Sequence, residues 1–336
     1  MSLKINKILF TCLLFISTLI CISSNSWLGV WIGLEMNLLF FCPLMNNNDN
    51  SLSNEATLKY FLIQALASIL LLFFICLNFI NFNLFSMMIF NPIYTIMINT
   101  SLLLKIGAAP LHFWFPSIME SMNWMNNLLL MTWQKINPFI CLSYCINNNL
   151  IILISLLSII IGSLGGFNST SIRKIIAFSS ISHIGWLLIS LLISESNYWF
   201  YFLFYTIMSI SLILSFNYMK LFYMNQMLSN SLTPMIKTLI FISLLSMGGL
   251  PPFLGFIPKW MVIEHLIMMK MLMLIFIIVM LTLITLYFYL RMAFSSLILN
   301  NIQMYWKNHM NLSNKIYIFN YFSITFFPLI FFLFMT

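Results

Sequence analysis

Three amines sit where a hydrocarbon interior would expel them. Lys105, Lys135 and Lys259 lie inside long apolar stretches of a chain that is only 6% charged. A charge near the bilayer centre costs about 2.5–3.5 kcal/mol on insertion scales. Three such residues, with Glu35 in a fourth apolar stretch, are therefore read as retained for use. Burial loosens an amine's hold on its proton, and ionisable groups at membrane depth mark ion or proton paths.

Their neighbours extend this reading. In KIGAAPLHFWFP, Lys105 to Pro116, an intramembrane lysine precedes a helix break, and His112 follows seven residues on. Seven residues are about two turns, so the two would share a face of an intact helix, and imidazole titrates near neutrality unaided. The plainer alternative is a lysine satisfied by carbonyls that the break sets free. Lys135, in MTWQKINP, has roughly ten residues on each side, too many to snorkel to a surface. SMGGLPPFLGFIPKW, Ser246 to Trp260, repeats the first break with Lys259 after it; Glu264 and His265 read as interface residues. Glu35 stands mid-span in WLGVWIGLEMNLLFFCPL. A lone buried carboxylate protonates unless paired, and Lys105 is its expected partner. In RKIIAFSSISHIGW, Arg173 to Trp186, His183 lies ten residues beyond Arg173, about 15 Å deep, a relay position between Lys135 and Lys259. The serines of that segment and GSLGG at 162–166 are read as helix-packing positions. The six cysteines include no CxxC pair; Cys141 and Cys145, one turn apart, are read as apolar packing rather than metal or disulfide.

The elements that must hold these groups are helices. The chain is 62% hydrophobic, and its apolar runs recur at the length of about 20 residues that spans a bilayer. This predicts an all-α polytopic membrane protein with eleven candidate spans, at 5–23, 26–45, 57–80, 93–119, 124–146, 149–167, 172–193, 197–222, 235–269, 272–298 and 317–335. The fourth is interrupted at Gly107-Ala-Ala-Pro110 and the ninth at Gly248-Gly249-Leu-Pro251-Pro252. Proline removes a backbone donor, and broken helices at mid-depth are how transporters build ion sites. The N-terminal run resembles a signal peptide but has no small-residue cleavage site, so it is read as a retained helix.

With the N-terminal side called inner, Lys4, Lys7, Lys59, Arg173, Lys174, Lys220, Lys237, Arg291, Lys307 and Lys315 fall there, and only Lys270 falls outside. That split obeys the positive-inside rule and places the N-terminus in the matrix or cytoplasm. The net charge of +8 comes without a basic patch interleaved with aromatics, which argues against nucleic acid. The 34 Phe and 26 Met beside three Val and two Arg answer to no folding rule and point to an A/T-rich genome such as an organelle's.

KIGAAPLHFWFP, RKIIAFSSISHIGW and SMGGLPPFLGFIPKW together resemble the signature regions of the antiporter-like membrane subunits of respiratory complex I and the Mrp-type cation/proton antiporters, in the animal mitochondrial form. The resemblance spans essentially the whole chain. It implies one antiporter-like domain over 1–336 with inverted repeats at about 26–167 and 172–298, a C-terminal helix at 317–335, and three fewer N-terminal helices than bacterial relatives. It assigns Glu35 and Lys105 to an acid–lysine pair, Lys135 to the central proton carrier and Lys259 to the end of the polar axis, with His112 and His183 in support. It implies no cofactor in this chain, since NADH, FMN, iron–sulfur clusters and ubiquinone belong to other subunits. The implied partners are antiporter-like subunit 4, subunit 4L, the lateral helix of subunit 5 and membrane lipid. The implied location is the inner mitochondrial membrane, with the C-terminus in the intermembrane space. The expected function is proton translocation driven by redox chemistry elsewhere in the complex. A free-standing cation/proton antiporter and a scaffold with idle lysines are the alternatives.

Overall fold

A computed structural model describes residues 2–46, 50–81, 92–229, 234–251 and 253–298, and the expected span at 317–335 lies outside them. The described residues form helices, with one isolated β-bridge between Ser171 and Tyr223. Two compact units divide the chain, Met1–Ile154 and Ser155–Thr336.

The first unit holds α1 (Ser2–Ser23), α2 (Trp27–Met45), α3 (Ser51–Asn81), α4 (Pro92–Ile106), α5 (Trp114–Ser121), α6 (Trp124–Met131) and α7 (Trp133–Ser143). The turn into α2 is set by Ser26, whose hydroxyl accepts from the Gly29 N–H, one of the donors a helix start leaves unpaired. α1 and α2 then press together: a Cβ at Gly33 would lie 2.7 Å from Cys21 Cα. Along α3, Tyr60, Gln64, Ala67, Leu71 and Ile75 are buried at helical spacing, while Leu58, Leu62 and Ile69 are more than 60% exposed. Beyond the exposed Glu55–Lys59 pair near its start, a polar-dotted inner stripe under an apolar outer face suits lipid rather than water as the surrounding medium.

α8 (Asn148–Gly165) leads into the second unit, which continues with α9 (Ile172–Ile193), α10 (Glu195–Met219), α11 (Met224–Ser229), α12 (Pro234–Gly248), α13 (Phe256–Met268) and α14 (Leu272–Ile298). α9 is buried along most of its length. It meets α8 at small residues. A Cβ at Gly162 would fall 2.6 Å from the Ser182 nitrogen, and one at Gly185 2.8 Å from the Ser155 carbonyl. GSLGG is thus a packing surface, as read from the sequence. Among the described residues six helices are long and apolar enough to cross a membrane: α2, α3, α8, α9, α10 and α14.

Both expected interruptions are present, since α4 stops at Ile106 and α12 at Gly248. A third was not foreseen. The fifth span divides into α6 and α7 at Thr132, whose hydroxyl bonds back to the Leu128 carbonyl at 2.7 Å. Pro138 inside α7 adds a missing donor opposite the Gln134 carbonyl. The eighth span ends early, at Met219. Lys220 takes a left-handed cap with φ 52°, and the short α11 follows.

Candidate functional site

In the first unit the break after α4 exposes carbonyls of its last turn, and donors reach those of Leu103, Leu104 and Lys105. Gly107, at φ 79°, turns its own N–H and that of Ala108 onto the Leu103 carbonyl. The Trp114 indole donates to Leu104 O at 3.2 Å, and the Gln64 amide to Lys105 O at 3.3 Å. These carbonyls are taken by the donors named, and Lys105 itself helps to line a cavity.

That cavity has a volume of about 20 Å³, enough for one water molecule. Lys105 and Lys135 both line it, with Asn37, Tyr60, Gln64 and Gln134 supplying its other polar groups. The Gln134 amide donates to Asn37 Oδ1 at 3.2 Å, and Tyr60 Oη donates to Gln134 Oε1 at 3.4 Å. Three helices, α2, α3 and α7, are thereby joined through side chains around two buried lysines. Lys135 Nζ also stands 5.5 Å above the Phe115 ring, an arrangement that favours a cation. Glu35 is half-buried on α2. Glu35 and Lys105 do not close into a direct ion pair. His112 lies in the turn after the break, with Nδ1 3.2 Å from Pro110 O. Because the helix is interrupted there, the shared face with Lys105 is not formed, and His112 is not a lining residue of the cavity.

The second unit builds a different arrangement. Lys259, in the first turn of α13, donates to the Gly248 carbonyl at 2.9 Å, the last residue of α12. The bond to a break-exposed carbonyl, considered for Lys105, is thus found at Lys259, which caps the helix that its own segment interrupts. Gly249 takes φ 76°, and a Cβ on it would meet Lys259 Nζ at 2.8 Å. Lys259 Nζ lies 6.0 Å from the Trp186 ring, Trp186 stacks on Tyr201, and Tyr201 Oη lies 3.0 Å from His183 Nδ1. The His183 ring also lies 5.2 Å from that of Tyr205. His183 and Lys259 are thus connected through two buried aromatics.

Reading the sequence for charges passed over Asn37, Tyr60, Gln64 and Gln134 in the first unit and Trp186 and Tyr201 in the second. The signal for the amides was present, because an amide in an apolar run is costly unless hydrogen-bonded. Among the described residues no group of three or more His, Cys, Asp or Glu is arranged to hold a metal ion.

Comparison with known proteins agrees with this architecture. Residues 24–285 match the family described as NADH:quinone oxidoreductase/Mrp antiporter, transmembrane. NADH-ubiquinone oxidoreductase chain 2 of Anopheles gambiae is 51% identical over 96% of this chain and 96% of its own length. The protein of the same name from Aedes aegypti is 51% identical over 93% of this chain and 91% of its own. Among solved structures, a chain of the respiratory complex I of Thermus thermophilus superposes with a TM-score of 0.84 at 19% identity, covering 96% of this chain and 77% of that one. With its family match across most of its length and relatives at half identity, the chain belongs to the NADH:quinone oxidoreductase/Mrp antiporter family of membrane proteins.

Proposed function

We propose that this chain is a proton-translocating subunit in the membrane arm of a mitochondrial NADH:ubiquinone oxidoreductase. The observation that carries the proposal is the water-sized cavity shared by Lys105 and Lys135 and walled by amides and a tyrosine. Two amines facing one polar void can exchange a proton through a single water, whereas two amines in dry protein cannot. Glu35 acts as the electrostatic partner of Lys105, so a change in its charge alters how firmly Lys105 holds its proton. Lys135 carries the proton onward. Lys259 and His183 serve the second unit, and His112 supports the first from the turn beside it. No covalent substrate bond is made or broken. The relay moves H⁺ between nitrogen, oxygen and water, driven by redox energy released in other subunits, where NADH, FMN, iron–sulfur clusters and ubiquinone are bound.

The finer architecture belongs to the same proposal. Eleven spans, of which two lie in inverted repeats as broken helices, would put the N-terminus in the matrix and the C-terminus in the intermembrane space. Flanking membrane-arm subunits, including antiporter-like subunit 4, subunit 4L and the lateral helix of subunit 5, would cover part of the apolar exterior.

Lys135→Met in the assembled enzyme tests the proposal. Methionine keeps the length of the chain and removes the proton site. The expected result is a lowered proton-to-electron ratio with slowed NADH oxidation, at normal abundance of the complex. Normal turnover together with a normal ratio overturns the relay.

A further inference from the structure

Two cysteines that the proposed relay does not use lie against each other in the first unit. Cys21, near the end of α1, and Cys141, on α7, are 120 residues apart in sequence, and their sulfurs are 3.7 Å apart. Both are buried, at 1% and 0% exposure, and both are free thiols. The contact is held from two sides. On the α1 side, Gly33 leaves no space behind Cys21: a Cβ there would be 2.7 Å from the Cys21 Cα and Cβ atoms. On the α7 side, the Cys145 thiol donates to Asn99 Oδ1 at 3.1 Å and lies 3.6 Å from the Cys141 carbonyl, which ties the end of that helix to α4.

We propose that Cys21 and Cys141 form an oxidant-sensitive dithiol that closes to a disulfide under hydrogen peroxide, stapling α1 to α7. Closing to the bonded S–S length of about 2.05 Å needs each sulfur to move by about 0.8 Å. The chemistry balances. One thiolate attacks the peroxide, an S–O bond forms and the O–O bond breaks, and the departing hydroxide takes a proton to become water. The second thiolate then attacks the resulting sulfenic sulfur, an S–S bond forms and the S–O bond breaks, and a second water leaves. Two thiols lose two electrons and two protons, and one peroxide is reduced to two waters. Because α7 also carries Lys135, the staple would tether the helix that walls the lysine cavity.

Peptide mass spectrometry on the intact membrane complex tests this without reference to proton pumping. Membranes are exposed to hydrogen peroxide, then denatured in N-ethylmaleimide and digested. The expected result is conversion of the Cys21 and Cys141 peptides from separate maleimide adducts into one linked pair, two hydrogens lighter than the sum of the two free-thiol peptides, reversed by dithiothreitol. Cys12, Cys42, Cys76 and Cys145 serve as internal references. Persistence of Cys21 and Cys141 as separate maleimide adducts, or their separate oxidation to sulfinic acids without a link, overturns the proposal.

Discussion

At the scale of single residues, the three membrane lysines are not equivalent, although their sequence contexts look alike. Lys105 and Lys135 face a shared void, whereas Lys259 is bonded to the carbonyl that its helix break exposes. The difference comes from which donors reach the carbonyls that each break exposes. After α4, Gln64 and Trp114 reach the freed carbonyls from other segments. After α12 the lysine does that work itself. Gly249 serves this bond twice over, by its φ of 76° and by the absent Cβ that would touch the amine. Gly249→Ala is therefore expected to destabilise the purified protein by about 1–2 kcal/mol through the left-handed backbone alone, with a further loss from displacing Lys259. Comparing its thermal midpoint in the native background and beside Lys259→Met separates the two costs, since the second should vanish once the amine is gone. Equal losses in both backgrounds would mean that the glycine and the lysine are not coupled.

At the scale of elements, much was legible because punctuation in a membrane protein is chemically loud. α9 runs over Ile172–Ile193, as the apolar run between Arg173 and Ser194 suggests, and α14 begins and ends where expected. The GAAP and GGLPP interruptions read as breaks because glycine and proline are the residues that end helices. The division at Thr132 was illegible for the opposite reason. Threonine is common inside membrane helices, and only the structure shows its hydroxyl turned onto Leu128. Pro138 was the available hint, three residues past Lys135. Seeing that the cavity is walled by amides likewise needed the third dimension, because Asn37, Gln64 and Gln134 come from three helices. The tight meeting of α8 and α9 supports a contrasting pair of substitutions. Gly185→Ala places a methyl 2.4 Å from Ile159 Cγ1 and 2.8 Å from the Ser155 backbone, while Gly248→Ala meets nothing nearer than 3.6 Å. Overpacking costs about 1–3 kcal/mol, so Gly185→Ala is expected to lower the amount of assembled protein on native gels and Gly248→Ala to leave it near normal. Equal yields would show that α9 yields freely against α8.

At the scale of the whole chain, the charge asymmetry read from the sequence has a physical counterpart inside the second unit. The Arg291 guanidinium donates to Phe167 O and Ser169 O, and the Arg173 guanidinium lies 4.8 Å from the Phe222 ring. Backbone bonds from Ile172 to Phe222 and from Met224 to Thr170 close the same end. The loop before α9, the turn after α10 and the later part of α14 therefore gather their basic residues together. From Leu272 to Arg291 along α14 is about 28 Å at 1.5 Å per residue, close to the thickness of a hydrocarbon core. Lys270, just before α14, is therefore about one membrane thickness from that cluster. Lys220 and Lys270 are both exposed and both sit at left-handed turns, which makes them a matched pair of reporters. If the basic end faces the matrix, a membrane-impermeant amine reagent added to mitoplasts should modify Lys270 and spare Lys220, and inside-out inner-membrane vesicles should give the reverse. Labelling of both from one side would mean that the described elements between the two turns after α11, namely α12, the break and α13, do not make a single crossing. The proposed matrix-side N-terminus would then have to be abandoned along with the count of spans.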